Sequence, residues 1–193
     1  IICSLDPKNA IYIDIAREYL IKHMDGNDNL KRLEEILKKG FAYPRVKLEK
    51  LLTPKYDKIK KEDYGGDLEI VEKITFEDGA IHFREIRETG MDLYRASKGE
   101  LVTSKINVHQ GAVALAPIDL VCSTHYQIYE INADEVRPSF LVEILRSRQF
   151  LSVLADEKNK GIKNEQGPDF LLKFQIPLPL PDVQGDMIDQ IER

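Results

Sequence analysis

Cysteine is scarce in this chain: Cys3 and Cys122 are the only two in 193 residues, and they lie in unrelated segments with no Cys-x-x-Cys pair. That scarcity excludes a disulfide-stapled scaffold and gives no zinc-site spacing, so a reducing cytoplasm is the expected compartment. Long apolar runs are absent too; none approaches the ~18 residues needed to cross a bilayer, which excludes membrane insertion. Catalytic spacings are likewise missing. His23, His82, His109 and His125 form no His-x-x-x-His pair, and no serine sits in a Gly-x-Ser-x-Gly elbow. Lys98-Gly99 lacks the glycine spacing of a phosphate loop, and Gly65-Gly66 opens no dinucleotide fingerprint. A metal-dependent nuclease would carry a Glu-x-Lys, and an adenine methyltransferase a Pro-Pro with an aromatic; neither occurs. No enzyme activity, metal or cofactor is therefore expected.

What is present is the composition of an ordinary folded domain, 42% hydrophobic and 32% charged. The length suits one main domain of ~150 residues with helical flanks. Since the chain begins at Ile1 and stops soon after a helix starts, it is expected to be a fragment of something longer. A net charge of -5 argues against nucleic-acid binding through overall charge. Its distribution is uneven, however: residues 44–61 carry seven basic side chains against two acidic, and residues 62–81 seven acidic against one basic. The net figure thus hides a basic segment.

Periodicity divides the chain further. Asp6-Pro7 caps an amphipathic helix running to Gly26, and Leu30, Leu33, Ile36 and Leu37 mark a second that stops at Gly40, so residues 1–40 are expected to form a helical hairpin. From Leu68 the period becomes two, predicting a hairpin to Ile86 about a Glu77-Asp78-Gly79 turn. Strands are expected at Leu101–Ile106, Ala112–Ala116 and Tyr126–Ile131. Pro138 opens a helix expected to reach about Asp156, burying Leu141, Ile144, Leu145, Leu151 and Leu154 while Arg146, Arg148 and Gln149 face elsewhere. Pro177, Pro179 and Pro181 then enforce an extended strip, after which a helix begins at Asp182. The fold class this implies is α+β, a β-rich domain over residues 41–181 with flanking helices.

Polar side chains in loops are the candidates for function. Lys105, Asn107, His109 and Gln110 lie between two expected strands, where Asn or Gln can pair with adenine and Lys or His can donate to guanine. His125 precedes another strand, and Lys158, Lys160 and Lys163 surround Gly161 with Asn164 beside them, a loop suited to phosphate contact. A solvated turn, a structural histidine and a solvated charge run use the same residue types.

The order of the pieces carries a resemblance. Tyr43-Pro44-Arg45-Val46-Lys47-Leu48 is followed by Lys98 to Ile106, Gly111-Ala112-Val113, Cys122-Ser123-Thr124-His125-Tyr126, Arg137-Pro138-Ser139-Phe140-Leu141 through Phe150, Gly161, and Ile176 to Pro181 with Gln184 to Ile191. This series, over about three-quarters of the chain, resembles the target-recognition domain of type I restriction-modification specificity subunits. Tyr43 stands where that family often has tryptophan, and the loop after Gly161 lacks the arginine commonly found there. The resemblance implies a DNA methylase specificity domain-like module that reads one half of a bipartite double-stranded DNA target. It implies further that residues 182–193 begin a spacer helix and that methyltransferase and restriction subunits supply the chemistry. A second copy would come from elsewhere in the parent chain or from a symmetric homodimer. The same module also resembles the specificity end of single-chain methyltransferase-endonucleases, and a protein-interaction module without DNA binding is the reading from another class.

Overall fold

Alternation of period two sends Leu101 and Tyr129 to one face of a sheet and Val102 and Ile128 to the other, and this division organises the molecule. The computed structural model describes residues 43–159 and 166–191; the expected hairpin over residues 1–40 lies outside them. The strands are β1 (Arg45–Lys47), β2 (Leu52–Lys55), β3 (Lys58–Ile59), β4 (Glu69–Ile74), β5 (Ile81–Phe83), β6 (Leu93–Ala96), β7 (Leu101–Ser104), β8 (Val113–Leu115), β9 (Leu120–Ser123), β10 (Tyr126–Ile131) and β11 (Gln175–Pro177). The helices are α1 (Pro138–Arg146), α2 (Arg148–Asn159), α3 (Asp169–Leu172) and α4 (Pro181–Ile191). The class is α+β, with sheets dominant.

Strands β2, β10, β7 and β8, in that order, form an antiparallel four-stranded sheet; β3, β6, β9, β4 and β5 form a five-stranded one with a single parallel pair, β4 with β9. A ribbon of β1 and β11 completes the set. Val102, Ala114 and Ile128 from the first sheet meet Val71, Ala96, Leu120 and Cys122 from the second, so the two sheets pack face to face. On its other face the four-stranded sheet buries Leu52, Leu101, Val113 and Tyr129 against Phe140, Leu141, Ile144 and Leu145 of α1 and Phe150 and Leu154 of α2. Each such side chain contributes about 1.5–3 kcal/mol on leaving water. Among the described residues no helix is long and apolar enough to cross a membrane.

Two expectations need correction. The helix opening at Pro138 is two helices, because Ser147 is extended (ψ 139°) and ends α1 with its hydroxyl on the Ile144 carbonyl at 2.8 Å. The same oxygen accepts the Phe150 amide at 3.3 Å, as an N-cap does, and starts α2. The strand expected to run to Ile106 stops at Ser104, whose hydroxyl accepts the amides of Ile106 and Asn107 at 3.3 and 3.1 Å and turns the chain into a short 3-10 turn over Val108–Gln110. The final helix α4 packs against α1 and contributes Ile188 to the core.

Candidate nucleic-acid interface

Strand register decides which connections share an end of the sandwich. Ile59 is opposite Leu93, and Leu93 opposite Ser123, so the segment after β3 and the β9–β10 turn emerge together. Because β4 runs parallel to β9, the β4–β5 turn over residues 75–80 leaves on the same side. In the other sheet Ser104 faces Tyr126, which brings the β7–β8 connection, residues 105–112, to that end as well. The Lys105 amide donates to the His125 carbonyl at 2.9 Å, tying two of these loops together.

Lys105, Asn107, His109, Gln110 and His125 therefore meet at one end, in different states. The Lys105 ammonium donates to the Thr124 carbonyl at 2.6 Å and lies 5.5 Å from the Tyr94 ring centre. Asn107 is half-buried; its main chain is bonded, but its side-chain amide makes no hydrogen bond among the described residues. His109 has both ring nitrogens 3.4 Å from the Lys158 ammonium, which also donates to the Ile106 carbonyl at 3.0 Å. Burial, and then the Lys158 charge, hold the His109 imidazole below its ordinary pKa, so it is neutral at pH 7. Gln110 and His125 are exposed. Lys160, Lys163 and Asn164 lie outside the described residues, yet both flanks of their segment touch the β7–β8 connection: Lys158 as above, and Gln166 through its amide on the Lys105 carbonyl at 2.8 Å.

The basic segment 44–61 is not one face. Lys55 pairs with Glu100 at 2.6 Å, Lys58 with Asp92 at 2.7 Å and Lys47 with Glu49 at 3.1 Å. Lys60 and Lys61 follow β3 to the loop end, whereas Arg45, Lys47 and Lys50 border a hollow with Asn132, at the opposite end of β10.

Arg146, which lies off the apolar stripe of its helix, knits the site together. Its guanidinium donates to the carbonyls of Glu77 at 2.9 Å and of Phe76, Gly111 and Val113 at 3.4 Å, bridging the 75–80 turn to the β7–β8 connection. Gly79 and Gly111 leave room for this: a Cβ at Gly79 would strike the guanidinium, and one at Gly111, whose φ is +99°, would lie 2.8 Å from the Phe76 carbonyl. Those two turn glycines were the only hint of it in the sequence. Between the bridged loops lies an open recess of about 290 Å³, bordered by Lys73, Ile74, Phe76, Asn107, Ala112 and Tyr126. Cys122 plays no part there; it is fully buried, and burial pushes its thiol up to about 12. Among the described residues no group of His, Cys, Asp and Glu is arranged to hold a metal ion.

No protein-family model matches this sequence, and neither does any curated protein. Solved structures do. A chain from work on the structural basis of complex assembly and conformational transition of the type I R-M system superposes with a TM-score of 0.62 at 16% identity, covering 78% of this chain and 40% of that one. The HsdS subunit from Thermoanaerobacter tengcongensis superposes with a TM-score of 0.50 at 12% identity, covering 78% of this chain and 36% of its own. The likeness is one of fold, and the chain spans 40% or less of the length of either.

Proposed function

We propose that this chain is the target-recognition part of a type I restriction-modification specificity subunit, reading one half of a split double-stranded DNA site without a reaction centre of its own. The observation that carries the reading is the convergence of the β7–β8 connection, the β9–β10 turn, the 75–80 turn and the segment after β3 at one end of a rigid two-sheet scaffold. Mobile or loop-borne polar groups on a fixed scaffold are what sequence reading requires. The fold shared with HsdS supports placing the module in that system.

In this reading Lys60, Lys61, Lys73, Lys160 and Lys163 meet phosphates, and Asn107, Gln110, His125 and Asn164 face base edges. His109, neutral against Lys158, serves as an acceptor or a shape contact, and Lys105 braces the turn that carries His125. Residues 41–181 make the domain, 182–193 begin the spacer helix, and 1–40 pack on a neighbouring region. Methyltransferase and restriction subunits in the cytoplasm supply the chemistry, and a second domain, from the same parent chain or from a homodimer, reads the other half-site.

The test is the salt dependence of duplex binding by the full chain in complex with its methyltransferase subunits. Five phosphate contacts predict affinity falling roughly 500-fold between about 50 and 200 mM salt, with each Lys→Ala change among the phosphate set lowering the log–log slope by about 0.9. Salt-insensitive binding, or none by the complex, would favour a protein-interaction module instead.

A further inference from the structure

The recess between the bridged loops is chemically uneven. Its floor and walls are apolar, from Ile74, Ala112, Phe76 and Tyr126, and Phe76 is about half-exposed (48%) at its mouth. Most of its polar rim is already committed. The Ser104 hydroxyl accepts the Ile106 and Asn107 amides. The Thr75 hydroxyl is bonded to Asp78 and to the Ala80 carbonyl. Besides the Tyr126 hydroxyl, what is left is the Asn107 amide, with one donor group and one acceptor uncommitted at the edge of an apolar hollow, and the exposed Lys73 ammonium beside it.

An amide next to an apolar contact surface selects one base pair over the others. Adenine offers the N7 acceptor and N6 donor that a carboxamide matches in a bidentate pair, and its partner thymine offers a C5 methyl that seeks apolar contact. Guanine offers two acceptors to the same amide and leaves its carbonyl unmatched, and cytosine has no methyl for the hollow. Gln110 is exposed and does not border this recess, so it lacks the second half of the arrangement.

Resting on the DNA-reading function above, we propose that the half-site contains an A·T base pair read at this recess. The Asn107 amide bonds the adenine edge, the thymine methyl lies against Phe76 and Ala112, and Lys73 contacts the adjoining phosphate. Arg146 fixes the width of the recess by holding its two walls together.

Selection from a random duplex library with the full chain in its subunit complex supplies the preferred sequence, and repeating it with Asn107→Ala and Gln110→Ala tests the assignment. Asn107→Ala should erase preference at a single A·T position, a loss of roughly 5- to 150-fold in discrimination, which Gln110→Ala leaves intact. At that position, replacing thymine by uracil removes one methyl and should weaken wild-type binding about fourfold. Replacing adenine by 7-deazaadenine should weaken wild-type binding and leave Asn107→Ala binding unchanged. Asn107→Asp, which keeps the side chain's size, should also lose the preference. The proposal is overturned if the wild type selects a sequence in which Asn107→Ala relaxes a G·C position or none, or if uracil binds as well as thymine. A wild-type complex that selects no sequence at all would overturn the DNA-reading function itself.

Discussion

Replacing Gln184 by alanine should cost the folded protein about 3 kcal/mol, although the side chain lies in the last helix and far from any proposed contact. Gln184 is fully buried. Its Oε1 accepts the Arg137 amide at 2.7 Å, and its Nε2 donates to the carbonyls of Glu135 at 3.0 Å and Pro179 at 2.8 Å. One side chain thus joins α4 to the segment entering α1 and to the proline strip. Leaving a fully buried carbonyl such as that of Pro179 unpaired costs about 1–3 kcal/mol, and losing each part-buried bond about 0.5–1.5 kcal/mol because water partly replaces it. Gln184→Leu keeps the volume but none of the bonds and should be no better than alanine. Gln184→Glu keeps the acceptor for Arg137 but aims a carboxylate at two carbonyls and should be worse. Urea unfolding followed by circular dichroism measures all three, with the midpoint falling at unchanged slope. If Gln184→Ala stayed within about 0.5 kcal/mol of wild type, the range of an ordinary surface change, the latch assigned to Gln184 would be refuted.

Two further perturbations bear on the loop end. Arg146→Met keeps most of the aliphatic stem but none of the donors; it should speed amide exchange across residues 75–80 and 108–112 at least severalfold while changing global stability by only about 1–2 kcal/mol, and unchanged exchange would mean the bridge does not hold the loops. His109 makes stability pH-dependent. Its folded pKa lies below the ordinary 6.5, so the unfolded chain takes up a proton that the folded one resists, and stability contributed above 6.5 is lost as pH falls toward the folded value. His109→Gln should flatten the fall in urea midpoint between about pH 7 and 5, and an equally steep fall in the variant would assign it to another group.

Legibility in the sequence followed the physics of each element. Strand β10 is covered on both faces, with Ile128 in one core and Tyr129 in the other, and was readable from its aromatic and β-branched residues, while the β4–β5 hairpin was readable from the Glu77-Asp78-Gly79 turn between two apolar segments. Strand β9 is buried on both faces, so Leu120 to Ser123 show no alternation. Strand β2 hides behind Pro54, which is tolerated because β2 is an edge of its sheet. Strands β1, β3 and β11 are too short, at two or three residues, to display a period. The split at Ser147 was overridden by an apolar stripe that continues through both helices, Ile144 and Leu145 on one side and Phe150 and Leu154 on the other. At the candidate interface the loop positions were legible as polar residues between strands. Their partners were not, because Arg146 is 35 residues from Gly111 and 69 from Glu77, and Lys158 is 49 from His109. Nor could the charge count in segment 44–61 foretell that Asp92 and Glu100 neutralise two of its lysines.

The central claim, that one end of the sandwich meets DNA, is tested most directly by hydrogen–deuterium exchange of the complexed full chain with and without its selected duplex. DNA should protect the amides of residues 75–80, 105–112 and 124–125 and leave the β1–β11 ribbon, at the opposite end, unchanged. Protection of the ribbon with the loop end still exchanging freely would contradict the account.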